Sequence, residues 1–189
     1  MLLVLAGSIL TVTMVQEATV VEPFEKGSVV IEQDVDSGPV LLRFDTRVEP
    51  LVEQKYRNIV RQAYDYSCGS AALTTVLNFY LGRSLSERQV MEGLLHYGES
   101  ERIVERRAFS MLDMKRLVTA LGYPSGGFRA SIEDLKDLDH PAIVPINHAG
   151  FKHFVVLRTI RDGRVYLADP SVGNISFLLA EFEDKWDDN

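Results

Sequence analysis

Apolar positions recur with two different periods along the chain, first that of helices and then that of strands. The segment SAALTTVLNFYL, residues 70–81, has apolar side chains at helical spacing and stops before Gly82, a residue suited to the position after a helix. Residues 50–60 are predicted to form a short helix before it. Three capping pairs predict further helices: Ser86 with Gln89, Ser110 with Asp113, and Ser131 with Asp134.

After Pro141 the pattern changes to that of β-strands. The segments AIVPIN, KHFVVLRTI, VYLADP and NISFLL are predicted strands, and an Arg-Asp-Gly-Arg turn at Asp162-Gly163 joins the second to the third. A last segment, AEFEDKWDD, is predicted to be helical. Because turns rather than crossover helices join the strands, we predict an α+β fold in which helices pack on an antiparallel sheet.

The N-terminal region has a different pattern. Residues 22–48 predict short β segments around a Ser-Gly-Pro turn. The first fifteen residues, MLLVLAGSILTVTMV, are mostly apolar and uncharged. They are too short to span a bilayer, which takes about 20 residues, and they favour a secretory signal over a buried strand, although no basic residue opens them. We therefore predict an export segment (1–20), a β extension (21–55), a main domain (56–189) and a periplasmic or exported location.

Composition narrows the function classes. The 189 residues are 46% hydrophobic and 25% charged, which is typical of a single globular domain and excludes bulk disorder. A net charge of −7 argues against a nucleic-acid partner, since phosphate binding needs a basic surface. The single cysteine cannot form an intramolecular disulfide, and no CxxC or HExxH spacing is present. We predict neither a metal site nor a cofactor.

Cys68 is the candidate nucleophile. A lone cysteine is by default a small buried apolar residue, but Cys68 precedes Gly69-Ser70 and the predicted helix, so it lies at the first turn of that helix. Unpaired N–H groups and the helix dipole favour a thiolate there. This position favours a chemical role over a structural one.

A thiol nucleophile also needs a base and a group that orients the base. His153 begins an apolar strand and Asp169 ends the next one, so the two residues are expected near the same end of the sheet. A tight turn would place Asp169 opposite Val156, about three residues from His153, and a bulge would bring them closer. Taken singly, His153 could also be an ordinary surface histidine, and Asp169 could be an aspartate that only forms a turn before Pro170.

Oxyanion stabilisation needs hydrogen-bond donors. The backbone N–H of Cys68 is one candidate, and the side-chain amide of Gln62, six residues upstream, is another. On chemistry alone, Gln62 could equally be an ordinary polar surface residue.

Three motifs together resemble a known family. Gln62-Ala-Tyr-Asp-Tyr-Ser-Cys68-Gly69-Ser-Ala-Ala-Leu is similar to the Gln-x-x-x-x-[Asp/Glu]-Cys-Gly-x-Ala-x-Leu motif of the bacteriocin-processing peptidases, papain-like enzymes that cut after double-glycine leaders. His153-Phe-Val-Val-Leu and Val-Tyr-Leu-Ala-Asp169-Pro resemble the other two motifs of that family. The resemblance covers about residues 56–180. It implies a papain-like fold with Cys68 as nucleophile, His153 as general base, Asp169 as orienting carboxylate and Gln62 in the oxyanion hole.

Two departures from the family pattern refine this interpretation. Ser67 stands where the family commonly has an acidic residue. The chain also has neither a phosphate-binding GxxxxGK[ST] loop nor transmembrane helices, so it resembles a stand-alone member, like the peptidase component of functional-amyloid (Fap) operons in pseudomonads. That resemblance implies secreted fibre subunits and an outer-membrane pore as partners.

The leading hypothesis is a thiol endopeptidase that cleaves a secreted or exported polypeptide, such as a leader or a fibre subunit. The alternative is a module of an export system that binds a leader or subunit without proteolysis, and the presence of Cys68 counts against it. Acyl transfer to an amine would use the same residues as hydrolysis.

Overall fold

The computed structural model describes residues 28–29, 46–47, 49–148 and 150–186. The chain divides into two units, Met1–Pro50 and Leu51–Asn189. In the first unit, strand β1 (Ser28–Val29) pairs antiparallel with β2 (Thr46–Arg47). The rest of the β segments predicted for 22–48, and the predicted export segment, lie outside the described residues. The division into 1–20, 21–55 and 56–189 stays a prediction.

The helices of the second unit follow the sequence pattern closely, with two differences. Their bounds are α1 Leu51–Lys55, α2 Cys68–Phe79, α3 Glu87–Tyr97, α4 Ser100–Arg106, α5 Met111–Ala120, α6 Ile132–Lys136 and α7 Leu179–Lys185. Helix α1 is shorter than the predicted span of 50–60. Helix α4 was not predicted, because its N-cap residue, Glu99, makes no side-chain capping bond and so has no start motif. No helix among the described residues is long and apolar enough to cross a membrane.

The three capping pairs are confirmed. Ser86, Ser110 and Ser131 each accept a hydrogen bond from the backbone N–H three residues later, at the start of α3, α5 and α6. In each case the side chain at that third position returns a bond to the serine N–H. Aspartate therefore closes the box in α5 and α6, as glutamine does in α3.

A four-stranded antiparallel sheet lies between α6 and α7 in the chain. Its strands are β3 (Ala142–His148), β4 (Phe151–Arg161), β5 (Arg164–Asp169) and β6 (Gly173–Leu178), and they are paired in chain order. Alternate side chains of β4 point to opposite faces: Val155 and Leu157 pack against α6 and α7, whereas Val156 packs against Ala72 of α2. Helices α2 to α5 have their own apolar cluster around Leu77 and Leu94. The predicted arrangement of helices on an antiparallel sheet is confirmed.

Gly173 is required where β6 begins, close to the end of β5. Its φ of +94° is unfavourable for other residues, and a Cβ would lie 2.6 Å from the carbonyl oxygen of Lys55. We expect Gly173→Ala to lower the free energy of unfolding by about 2–3 kcal/mol, from backbone strain and the displaced carbonyl. Urea unfolding would measure this change.

Gly163→Ala is the matched control. Gly163 also has a positive φ, +70°, but no atom lies within 4 Å of the Cβ position. This variant should lose only the conformational part, about 1 kcal/mol. Equal losses in the two variants would contradict a steric role for the Lys55 carbonyl.

Candidate active site

Cys68 is the first residue of α2, as the sequence predicted. The turn before it is tight: Tyr66 has a φ of +61°, and the Ser67 hydroxyl donates to the carbonyl oxygen of Tyr64 at 2.8 Å. Ser67 is only 1% exposed, so the residue that departs from the family pattern has a packed role in this turn. The first N–H groups of a helix have no acceptor inside it. The partly buried thiol therefore lies where the backbone favours negative charge.

A bulge in β4 decides how close His153 and Asp169 come. Val156 pairs with Ala168, so the tight-turn register, with Asp169 opposite Val156, is wrong by one residue. Arg158 is the extra residue, since its two neighbours pair with adjacent residues of β5. The bulge moves Asp169 one position toward His153. His153 Nε2 lies 2.8 Å from Asp169 Oδ1.

Asp169 is held by more than the histidine. It is 2% exposed, and its Oδ1 accepts hydrogen bonds from the N–H and the hydroxyl of Ser171, both at 2.7 Å, and from the N–H of Val172 at 3.3 Å. These bonds fix the carboxylate that faces the imidazole. The sequence interpretation missed Ser171, although an aspartate followed two residues later by serine is typical of a turn in which the carboxylate binds backbone N–H groups.

The thiol and the imidazole form a coupled pair. Burial raises the pKa of Cys68, but the hydrogen bond with His153 and the charge of His153 outweigh it and lower that pKa. Hydrogen bonds with the backbone N–H groups of Phe154 and Gly69 act in the same direction. Burial lowers the pKa of His153, whereas its bonds to Asp169 and Cys68 raise it to about 9. Since Nε2 faces Asp169, Nδ1 is the nitrogen left to exchange a proton with Cys68.

Asp169 completes this electrostatic arrangement. Burial raises the pKa of Asp169, but the hydrogen bonds from His153 and Ser171 outweigh it and keep that pKa below the ordinary value. The carboxylate is therefore ionised at neutral pH and stabilises a charged imidazole. The arrangement favours a thiolate and an imidazolium over a neutral thiol and a neutral imidazole.

Alkylation of Cys68 by iodoacetamide should show this pair directly. The thiolate forms above the lowered pKa of Cys68, and the imidazolium persists as pH rises until it deprotonates near 9. We therefore expect fast labelling well below pH about 8.5, the ordinary thiol pKa, and loss of that low-pH labelling in His153→Ala. Rates measured by mass spectrometry across the pH range would test this.

The control for this experiment is His140→Ala. His140 also pairs with an aspartate, Asp139, but both side chains are exposed. Its removal should leave the labelling profile unchanged. A wild-type profile that follows an ordinary thiol would contradict the ion pair.

The backbone of Gln62 is bonded to the end of β5, next to Asp169. Its N–H donates to the carbonyl oxygen of Pro170, the residue after Asp169, at 3.0 Å. Its side chain is partly buried, and Nε2 makes a long contact of 3.5 Å to the carbonyl oxygen of Tyr64. Oε1 is buried without a hydrogen-bond partner among the described residues. Because Nε2 carries two N–H groups and its contact with Tyr64 is long, the amide is weakly held and can donate to a ligand.

Within residues 28–29, 46–47, 49–148 and 150–186, no three His, Cys, Asp or Glu side chains are grouped so that they could hold an ion. The expectation that the chain uses no metal or cofactor stays a prediction.

The model of the peptidase C39 family matches residues 56–189, most of the chain. The chain belongs to the peptidase C39 family. This confirms the resemblance to the bacteriocin-processing peptidases that the three motifs indicated.

Two curated relatives of this C39 chain differ in kind: one is named as a protease, and the other as a processing and transport protein. It is 40% identical over 140 residues to "Probable functional amyloid protease FapD" of Pseudomonas aeruginosa, a match that covers 74% of this chain and 62% of the relative. It is 25% identical over 141 residues to the lactococcin-G-processing and transport ATP-binding protein LagD of Lactococcus lactis, with 69% of this chain and 18% of that protein covered. The chain thus matches less than two thirds of the length of either relative.

Solved structures confirm the C39 peptidase fold. A double-glycine-motif protease from an AMS/PCAT transporter, crystallised with a leader peptide, is 26% identical, with a TM-score of 0.56 over 69% of this chain and 85% of that one. The peptidase domain of Streptococcus ComA has the same TM-score of 0.56 at 20% identity, over 69% of this chain and 92% of the domain, and so supports the fold alone.

Proposed function

We propose that this C39 family member is a thiol endopeptidase that cleaves an exported polypeptide. The observation that supports it best is the position of His153: its Nε2 lies 2.8 Å from Asp169 Oδ1, and its interaction with Cys68 lowers the pKa of the thiol. A nucleophile, a base and an orienting acid in contact are the arrangement that acyl-transfer enzymes use.

The residues have distinct roles in the proposed reaction. The Cys68 thiolate attacks the scissile carbonyl carbon, and the electron pair of the C=O bond moves to the oxygen. This oxyanion accepts hydrogen bonds from the Cys68 N–H and the Gln62 amide. As the C–N bond breaks, His153 protonates the leaving amine, which leaves a thioester on Cys68. His153 then takes a proton from water, the hydroxide attacks the thioester, and the Cys68 thiolate departs.

The proposed substrate class follows from the relatives. One relative is named as a functional amyloid protease, and one structural neighbour was crystallised with a leader peptide. A leader or a secreted fibre subunit is therefore the substrate we propose. The apolar, uncharged first fifteen residues support a periplasmic or exported location, where such polypeptides pass.

Incubation with candidate leader peptides and fibre subunits tests this proposal. Wild-type protein should release new termini that mass spectrometry identifies, whereas protein whose Cys68 has been alkylated beforehand should bind without cleaving. Equal binding and no cleavage by either form would favour the alternative, a leader- or subunit-binding module. Transfer to an added amine in place of water would identify acyl transfer.

A further inference from the structure

Glu87 is a buried carboxylate outside the proposed triad. It is the first residue of α3 and is only 7% exposed. Burying a charged group costs free energy unless hydrogen bonds compensate it. Its Oε2 accepts a hydrogen bond from the N–H of Ala63 at 2.9 Å, and its Oε1 lies 3.4 Å from the hydroxyl of Ser70.

Both partners of Glu87 lie next to proposed site residues. Ala63 follows Gln62, and Ser70 is in the first turn of α2, two residues after Cys68. The single proton of the Ser70 hydroxyl is shared: the carbonyl oxygen of Ser67, just before the nucleophile, accepts it at 2.8 Å, and Glu87 Oε1 is the longer acceptor at 3.4 Å. One carboxylate therefore bridges the segment that contains the amide donor and the helix that begins at the thiol.

The segment around Gln62 depends on such bonds because it is neither helix nor strand. Its other anchors are the Gln62 N–H on Pro170 and the Val60 N–H, which donates to the Thr75 hydroxyl oxygen at 2.9 Å. Glu87 anchors the residue on the far side of Gln62. Without Glu87, the N–H of Ala63 would lose its acceptor. The backbone from which the weakly held Gln62 side chain extends would then no longer be fixed on that side.

We propose that Glu87 is a positioning residue that holds the Gln62 amide in register with the Cys68 thiol for oxyanion stabilisation. The inference rests on the proposed function of Cys68 and Gln62. It predicts that Glu87 affects reactions that form an oxyanion and leaves other reactions of the same thiolate unchanged.

Two reagents separate these cases without a natural substrate. With p-nitrophenyl acetate, Cys68 sulfur bonds to the carbonyl carbon through an oxyanion intermediate, and p-nitrophenolate leaves. With iodoacetamide, the sulfur bonds to the methylene carbon, iodide leaves, and no oxyanion forms. The ratio of the acylation rate constant to the alkylation rate constant therefore isolates the oxyanion donors.

The expected ratios rank the variants. Gln62→Ala should lower the ratio by about 100-fold, as loss of one oxyanion donor does, and Glu87→Ala by about tenfold, since it displaces the donor without removing it. Glu87→Gln keeps an acceptor for Ala63 and should stay within about threefold of wild type. Glu87→Asp keeps the charge but withdraws the carboxylate from Ala63, so its ratio should also fall by about tenfold. It tests the inference independently if Glu87→Ala folds poorly.

Asp113→Ala is the matched control. Asp113 is another buried carboxylate in the first turn of a helix, and it accepts from the N–H of Glu99 at 3.0 Å instead of from the Gln62 segment. This variant should lose stability but keep the wild-type ratio. Adding Glu87→Ala to Gln62→Ala should lower the ratio little further, because the donor is already absent.

Three results would overturn the inference: a wild-type ratio in both Glu87→Ala and Glu87→Asp, an equal fall in Asp113→Ala, or a double variant whose loss is the product of the single losses. The proposed peptidase function fails on a different result, the absence of peptide cleavage by wild type. The ester and alkylation rates remain measurable in that case, so the two failures are distinguishable.

Discussion

Cys68→Ala is expected to lower kcat for peptide-bond cleavage by about 10⁴- to 10⁶-fold, the range seen when an activated nucleophile is removed from an acyl-transfer enzyme. The physical reason is that no other group can form the acyl-enzyme, so only binding and the oxyanion donors remain. Affinity for the uncleaved substrate should change little, because the thiol is small and partly buried. Single-turnover cleavage and binding, measured on the same peptide, would separate the two effects.

Cys68→Ser tests whether the thiolate is what matters. Serine places an oxygen at nearly the same position, but its hydroxyl is far less acidic than a thiol, so the ion pair with His153 does not form. We expect a loss of the same order as in Cys68→Ala. Cleavage by either variant at a rate near wild type would show that another group is the nucleophile, and the proposed mechanism would then be wrong.

Asp169→Asn is expected to lower kcat by about 10²- to 10⁴-fold. The substitution removes the negative charge that raises the pKa of His153, and an asparagine amide can turn its NH₂ group toward the imidazole and favour the wrong tautomer. The pKa of His153 should fall and the thiolate should lose its charged partner. Alkylation of Cys68 at low pH should therefore weaken together with kcat, whereas KM should change less.

Asp162→Asn is the control on the same hairpin. Asp162 lies in the β4–β5 turn with a φ of +51°, a conformation that asparagine also tolerates, and it is exposed. The net charge changes equally in the two variants, but only Asp169 contacts the imidazole. If Asp162→Asn reduced kcat as much as Asp169→Asn, the effect would be one of overall charge, and the orienting role of Asp169 would be excluded.

The fold was largely predictable because local signals decide its elements. The capping serines and the turn at Asp162-Gly163 act over a few residues, and each predicted start or turn is observed. Helix α4 was missed because it begins without a capping bond. Helix α1 ends early for a different reason: Asn58 adopts a left-handed φ of +57°, which breaks the helical path before Ile59.

The sequence by itself determined that Cys68 opens a helix and that His153 and Asp169 belong to neighbouring antiparallel strands, because propensity, capping and turn chemistry are local. Only the tertiary structure decided the register between them: the extra residue Arg158 moves Asp169 one position toward His153, which no local pattern specifies. It also decided which buried groups support the site. Glu87 is 24 residues from Ala63 in the chain, and a contact over such a separation exists only once α2 and α3 have packed.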